Sequence, residues 1–344
     1  MSRPDLQRTP SARPKDTSVQ ALRGIACILV VVWHSVGLGE LSLWRFTSDS
    51  AWEFALGLLE YLRMPLFTFL SGYVYAMRPI SVGASPWRFL RSKARRLLVP
   101  MLVVGTAYIL AFDLIPGWGG SGLRPFWTWH IIPVAHLWFI WAVLWCFVAV
   151  AVLDARGRLS TRRGMLIALV VSFALSAVLP KGIATPFASA AAVYLSFFFL
   201  AGMACRRFDW RSAPRRRHLI ALGAFVVLFA VTILGTVAGV RPSPDGVVGN
   251  LVGALFCALV VLVRFSSRPL EWLGARSFAI FLFHYFAVQF CRMAFVALGF
   301  HDVTVCIVVT TVVALLASVV LERILRSWRV TRTLALGERW TAAT

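Results

Sequence analysis

Charge is scarce in this sequence. Only 14% of its 344 residues are Asp, Glu, Lys or Arg, against about a quarter in a soluble domain. Lysine is nearly missing, confined to Lys15, Lys93 and Lys181. A charged, water-facing enzyme surface cannot be built from this supply. The six cysteines, Cys27, Cys146, Cys205, Cys257, Cys291 and Cys306, show no CxxC or other metal-type spacing. That argues against a zinc ribbon or a dithiol redox site, and because all six lie in or beside apolar segments they read as small buried hydrophobes rather than disulfides. No metal and no permanently bound cofactor is expected. There is no internal repeat and no long low-complexity tract. Nor is there a convincing signal peptide, because the first apolar run carries Arg23 and His34 and lacks a small-residue cleavage site.

What the chain does have is apolar length. Hydrophobic residues make up 59% of it, gathered in blocks of about membrane-spanning size rather than in short periodic stripes. The blocks predict helices near 20–39, 54–77, 97–115, 131–153, 165–180, 187–205, 219–240, 247–263, 277–297 and 303–322, of which the fifth and eighth are short. The expected fold is an all-α polytopic transmembrane bundle of about ten helices. Residues 1–18, rich in Arg, Pro and Ser, read as a disordered basic cytoplasmic tail. Residues 19–323 form the membrane domain, and 324–344 a second basic cytoplasmic tail.

The net charge of +21 invites nucleic acid as a partner, but its distribution argues otherwise. Twenty-eight Lys and Arg residues fall in the N-terminal tail, the loops after every second helix and the C-terminal tail, whereas the alternate loops hold only Arg45, Arg124, Lys181 and Arg241. This asymmetry is the positive-inside signature and predicts both termini in the cytoplasm. Segment 78–96, with Arg78, Arg88, Arg91, Lys93, Arg95 and Arg96, also fits an interfacial basic helix.

Ionisable residues inside a span are costly and are functional candidates by default. The first helix has two, Arg23 and His34. Eleven residues at about 100° each return to nearly the same face, about 16 Å further along. One face thus offers a guanidinium at the cytoplasmic surface and an imidazole in the outer half of the bilayer. Singly, Arg23 reads as a snorkelling anchor and His34 as a structural hydrogen-bonder; the pair is harder to explain that way.

The surrounding residues resemble the acyltransferase-3 family of integral membrane acyltransferases. The run from Gln20 through Arg23 and Gly24 to Trp33-His34 is similar to its R-x10-H signature. Met64-Pro-Leu-Phe-Thr-Phe-Leu-Ser71-Gly72-Tyr73 resembles its MPLFFFLSGY segment. Lys93-Ala-Arg95-Arg96-Leu-Leu-Val-Pro100 resembles its basic loop entering helix 3, His136-Leu-Trp138-Phe139 its HLWF start of helix 4, and Leu273-Gly274…Ser277…His284 its late LG..S..IYLLH helix. The set covers residues 19 to about 322. Two departures stand out. Arg63 replaces a His found before the MPLF segment in many members, and Gln20-Ala21 replaces an Asp-containing form, a change closer to members that decorate exopolysaccharides. No hydrolase-like domain follows the last helix.

The resemblance implies a bacterial inner-membrane O-acyltransferase, with acyl-CoA as donor and a cell-surface or lipid-linked saccharide as acceptor. Arg23, Arg95 and Arg96 suit the phosphates of CoA. The pantetheine arm would run up the face of helix 1 towards His34, which acts as general base or as acyl carrier. Ser71, Arg63, His136, Trp138 and His284 are possible site-lining residues, with Ser71, Trp138 or a backbone amide open as oxyanion stabilisers. Each has a plainer reading. Ser71-Gly72 permits close helix packing, Arg95 and Arg96 set topology, Trp138 anchors an interface, and Glu60 pairs with Arg63 three residues on. A transporter or flippase of a lipid-linked saccharide is the rival function. An inverted repeat would favour it, and none is found.

Overall fold

A computed structural model describes residues 17–36, 51–115, 118, 125–178 and 185–340. Most of the N-terminal tail, together with Arg45, Arg124 and Lys181, lies outside the described residues. The fold is an all-α polytopic bundle with no strand among the described residues. Its helices are α1 (Thr17–Val36), α2 (Ala51–Leu59), α3 (Arg63–Tyr75), α4 (Trp87–Lys93), α5 (Val99–Leu114), α6 (Trp138–Ala155), α7 (Arg162–Val178), α8 (Ser189–Arg207), α9 (Arg215–Val237), α10 (Val247–Val260), α11 (Arg268–Ala275), α12 (Ser277–Ala297), α13 (Val303–Ser327) and α14 (Arg329–Leu336). Among the described residues, eight helical segments are long and apolar enough to cross a membrane. The fifth and eighth predicted spans are the ones left out: α7 has 17 residues and α10 only 14. A helix of that second length reaches about 21 Å, short of a hydrocarbon core of about 30 Å.

Between lipid-embedded helices the hydrophobic effect gives no net pull, so close approach relies on small residues. The centre of the bundle shows this directly. A Cβ on Gly72 of α3 would lie 1.9 Å from the carbonyl oxygen of Phe199, and one on Gly202 of α8 would lie 2.0 Å from that of Phe69. The two helices therefore touch backbone to backbone through reciprocal glycines. The same device joins α1 to α11. A Cβ on Gly24 would meet Leu270 O at 2.1 Å, and one on Gly274 would meet Gln20 O at 1.8 Å. The packing reading of Gly72 is thus the one the geometry bears out. At the periphery, α9 presents Leu219, Ile220, Val226, Val227, Val231 and Leu234 outward, an apolar face that suits lipid tails.

Two ion pairs bind the ends of the bundle. Arg207 grips Asp154 with both terminal nitrogens at 2.8 Å and also donates to Leu159 O at 2.7 Å, while the Tyr75 hydroxyl donates to Asp154 Oδ2 at 3.0 Å. Asp154 is buried, so α3, α6 and α8 share one satisfied charge. Glu60 sits in the turn that splits the predicted second helix into α2 and α3. It pairs with Arg241 at 2.8 Å rather than with Arg63, because Arg241, which also donates to Gly57 O at 2.5 Å, reaches across from the loop before α10.

The segment from Trp87 to Leu114 is one continuous helical rod with a π-turn at Ala94–Leu98. Pro100 explains the turn: it has no N–H for the carbonyl of Arg96, and its ring clashes there. The chain widens instead, with Val99 N–H reaching back five residues to Ala94 O. The segment read as a basic C-terminal tail is helical as far as Leu336, with α13 running to Ser327 and α14 folding back from it.

Candidate active site

Helix α1 has neighbours at both of its polar positions. Around His34, near its C-terminal end, α12 contributes His284 and the start of α6 contributes His136. Ring centroids are 4.9 Å apart for His34–His284, 5.7 Å for His34–His136 and 4.6 Å for His136–His284. His284 is completely buried and His136 nearly so, whereas His34 is half-buried.

Carbonyl oxygens can only accept, so they determine the tautomers. His284 Nδ1 lies 2.9 Å from Ile280 O and 3.0 Å from Phe281 O. That nitrogen carries the proton, and Nε2 of the neutral ring holds a lone pair. Nε2 points at His34 Nδ1 at 3.2 Å, and His34 Nδ1 is also 2.8 Å from Val30 O. With two acceptors facing it, His34 Nδ1 carries the proton and shares it between them. The unprotonated nitrogen of His34 is therefore Nε2, the one nitrogen of the ring engaged by neither partner. His136 donates from Nε2 to Phe281 O at 2.7 Å, and its Nδ1 is buried without a partner. A buried acceptor left unsatisfied is costly and uncommon. No group of His, Cys, Asp or Glu among the described residues is arranged to hold a metal ion.

Beside the histidines lie two further unsatisfied groups. The Arg63 guanidinium stacks 3.6 Å over the Trp33 ring, and neither Arg63 Nε nor Trp33 Nε1 has a hydrogen-bond partner although both atoms are buried. Trp33 in turn meets His34 edge to face at 5.0 Å. Tyr285 and Tyr108 close the cluster: Tyr285 is 5.5 Å from His34, and Tyr108 is 5.5 Å from His136. The sequence reading passed over both tyrosines and Trp33. Trp33 and Tyr285 had one signal, adjacency in the chain to His34 and His284, and Tyr108 had none.

Two other candidates, Ser71 and Trp138, have partners of their own. Ser71 donates its hydroxyl to Phe67 O of its own helix at 2.9 Å. Trp138 packs on Phe139 at 6.1 Å, with no ring contact to a histidine.

The other end of α1 opens on a cavity of about 560 Å³ lined by Arg23, Arg95 and Arg96, with Phe278 and residues 332–339 completing the wall. The three arginines singled out in the sequence are therefore brought to one place, by α1 and by the π-turn. Lys93 is not with them; its ammonium sits 3.8 Å over the Phe147 ring. The expected groove up α1 is closed in this structure. Cys27 and Val30, which lie on the face between Arg23 and His34, are 1% and 2% exposed, and Cys27 Sγ approaches Ser277 O of α12 at 3.9 Å.

With this geometry in view, comparison with known proteins gives one result. A family model described as an acyltransferase domain, of the acyltransferase-3 type, matches residues 16–323. No curated protein and no solved structure matches the chain.

Proposed function

The chain belongs to this acyltransferase family and is a membrane acyltransferase, and from that premise we propose that it moves an acyl group from cytoplasmic acyl-CoA to a hydroxyl of a cell-surface or lipid-linked saccharide in a bacterial inner membrane. The observation that carries the reading is the tautomer of His34. Its Nδ1–H is held by Val30 O and His284 Nε2, which leaves Nε2 as the basic nitrogen of the one histidine of the three that is not fully buried.

The step balances simply. His34 Nε2 takes the proton of the acceptor hydroxyl as that oxygen attacks the thioester carbonyl. The tetrahedral intermediate collapses, the C–S bond breaks, and the proton returns to the departing thiolate of CoA. His284 is a positioning residue: it holds the ring of His34 and accepts a stronger hydrogen bond from Nδ1–H once His34 is an imidazolium. Donors left unpaired beside the ring, Trp33 Nε1–H and the Arg63 guanidinium, suit the charge that develops on the carbonyl oxygen. Ser71 is replaced in that role, since its hydroxyl is already committed.

Arg23, Arg95 and Arg96 suit the donor's phosphates, because guanidinium forks pair with phosphate oxygens. Passage of the pantetheine arm along the α1 face requires α1 to part from α12 around Cys27 and Val30. His34 lies about 16 Å beyond Arg23, so the acceptor approaches from the opposite end of the bundle.

The test is acyl transfer by purified protein in detergent, wild type against His34→Ala. Loss of about 10²- to 10⁴-fold in rate, with CoA binding retained, is expected. Full transfer by His34→Ala would sink the assignment of the base. Saccharide movement with no acylated product from the wild-type protein would favour a transporter.

A further inference from the structure

The cavity at the Arg23 end of α1 has a wall that lies beyond the matched domain. Besides Arg23, Arg95 and Arg96, it is lined by Arg332, Glu338 and Arg339 of the C-terminal segment. Five guanidinium groups thus surround one carboxylate. A plain positive-inside run would scatter its arginines over the water and the lipid headgroups, whereas these line one open cavity.

The segment is docked by fitted geometry. Gly337 ends α14 with φ of +67°, a left-handed conformation that favours glycine, and a Cβ there would lie 2.7 Å from Arg96 Cα and 2.8 Å from Arg95 O. The backbone of the tail therefore rests on the π-turn that Pro100 imposes, at the two arginines of the basic motif. An ionic chain fixes it from the other side. Glu338 pairs with Arg326 at 3.1 Å and lies 3.7 Å from Arg332 Nε, and Arg326 also holds Glu322 of α13 at 2.8 Å. Glu322 in turn lies 3.8 Å from Arg276 at the start of α12. The tail is anchored to α13, α12 and the π-turn together, and that anchoring presents Arg339 to the cavity.

We propose that residues 329–340 form the outer wall of the acyl-donor pocket, and that Arg339 and Arg332 join Arg23, Arg95 and Arg96 in binding the phosphates of the donor's nucleotide. This rests on the acyl-CoA reading above. The donor site is then completed only when the C-terminal segment has folded back onto the π-turn.

The experiment measures CoA binding to the full-length protein in detergent by titration calorimetry. Arg339 is exposed and makes no ion pair with an acidic residue among the described residues, so Arg339→Ala is expected to keep the melting temperature of the unliganded protein. It should weaken CoA roughly tenfold, the effect of losing one charge-assisted contact, and reduce the dependence of affinity on salt. Arg339→Lys should recover part of the loss. Gly337→Val should weaken CoA in the same direction by lifting the segment from Arg95 and Arg96. If Arg23→Ala loses CoA while both Arg339→Ala and Gly337→Val bind like wild type, the C-terminal wall is overturned and the donor pocket stands. If the wild-type protein does not bind CoA, the donor reading fails and this proposal fails with it.

Discussion

Replacing His284 isolates one interaction in the proposed mechanism. His284 Nε2 accepts from His34 Nδ1–H at 3.2 Å, but Val30 O also accepts that proton at 2.8 Å. Losing His284 therefore leaves the tautomer of His34 in place and removes only the extra stabilisation of the imidazolium. A hydrogen bond to a charged group contributes about 1.5–3 kcal/mol and a neutral one about 1, so the difference between the two protonation states is about 0.5 to 2 kcal/mol, or roughly 2- to 30-fold in kcat. That is well below the loss expected for His34 itself. Glutamine can place its amide oxygen near the position of Nε2, whereas the shorter asparagine cannot. The expected order of kcat is wild type, His284→Gln, His284→Asn. The assay is release of CoA thiol in the presence of acceptor, with kcat and KM separated and melting temperature as the fold control. KM for the donor should hardly move, because the arginine cavity is about 16 Å away along α1. Wild-type kcat in His284→Asn would refute the reasoning, and so would a loss confined to KM.

Two predictions concern the scaffold. Arg207→Ala leaves Asp154 buried without its partner, which should cost about 3–5 kcal/mol and appear as a large drop in melting temperature; an unchanged melting curve would show that the pair is not buried as described. Reporter fusions at 85–90, 210–215 and the C-terminus should report the cytoplasm, and those at 118–125 and 241–246 the opposite side. An extracytoplasmic C-terminus would overturn both the cytoplasmic placement of the termini and that of the donor cavity.

The helical class, most of the spans and the Arg23–His34 spacing were legible because each is a local pattern along one segment. The partners of those residues were not, since they come from far along the chain. Glu60 and Arg63 are neighbours on paper, yet Glu60 finds Arg241, 181 residues away, and Arg63 is left to stack on Trp33. His284 and His136 were noticed through the resemblance, but their hydrogen-bond roles depend on which carbonyls face which nitrogens, and no spacing rule gives that. Pro100 was visible in the basic motif; that it would open a π-turn for Gly337, more than 200 residues on, was not. The two weakest spans, α7 and α10, were already flagged by their shortness, and they are the helices that fall below crossing length.

The packed face of α1 has a consequence for the membrane itself. A continuous column of water along α1, from the basic cavity at one end to the imidazoles at the other, would let protons leak down an electrochemical gradient. Cys27 and Val30, pressed against their neighbours, keep that column from forming along this face. On the proposed through-membrane reading the closed protein has to insulate, and Cys27 and Val30 stand where the passage would open.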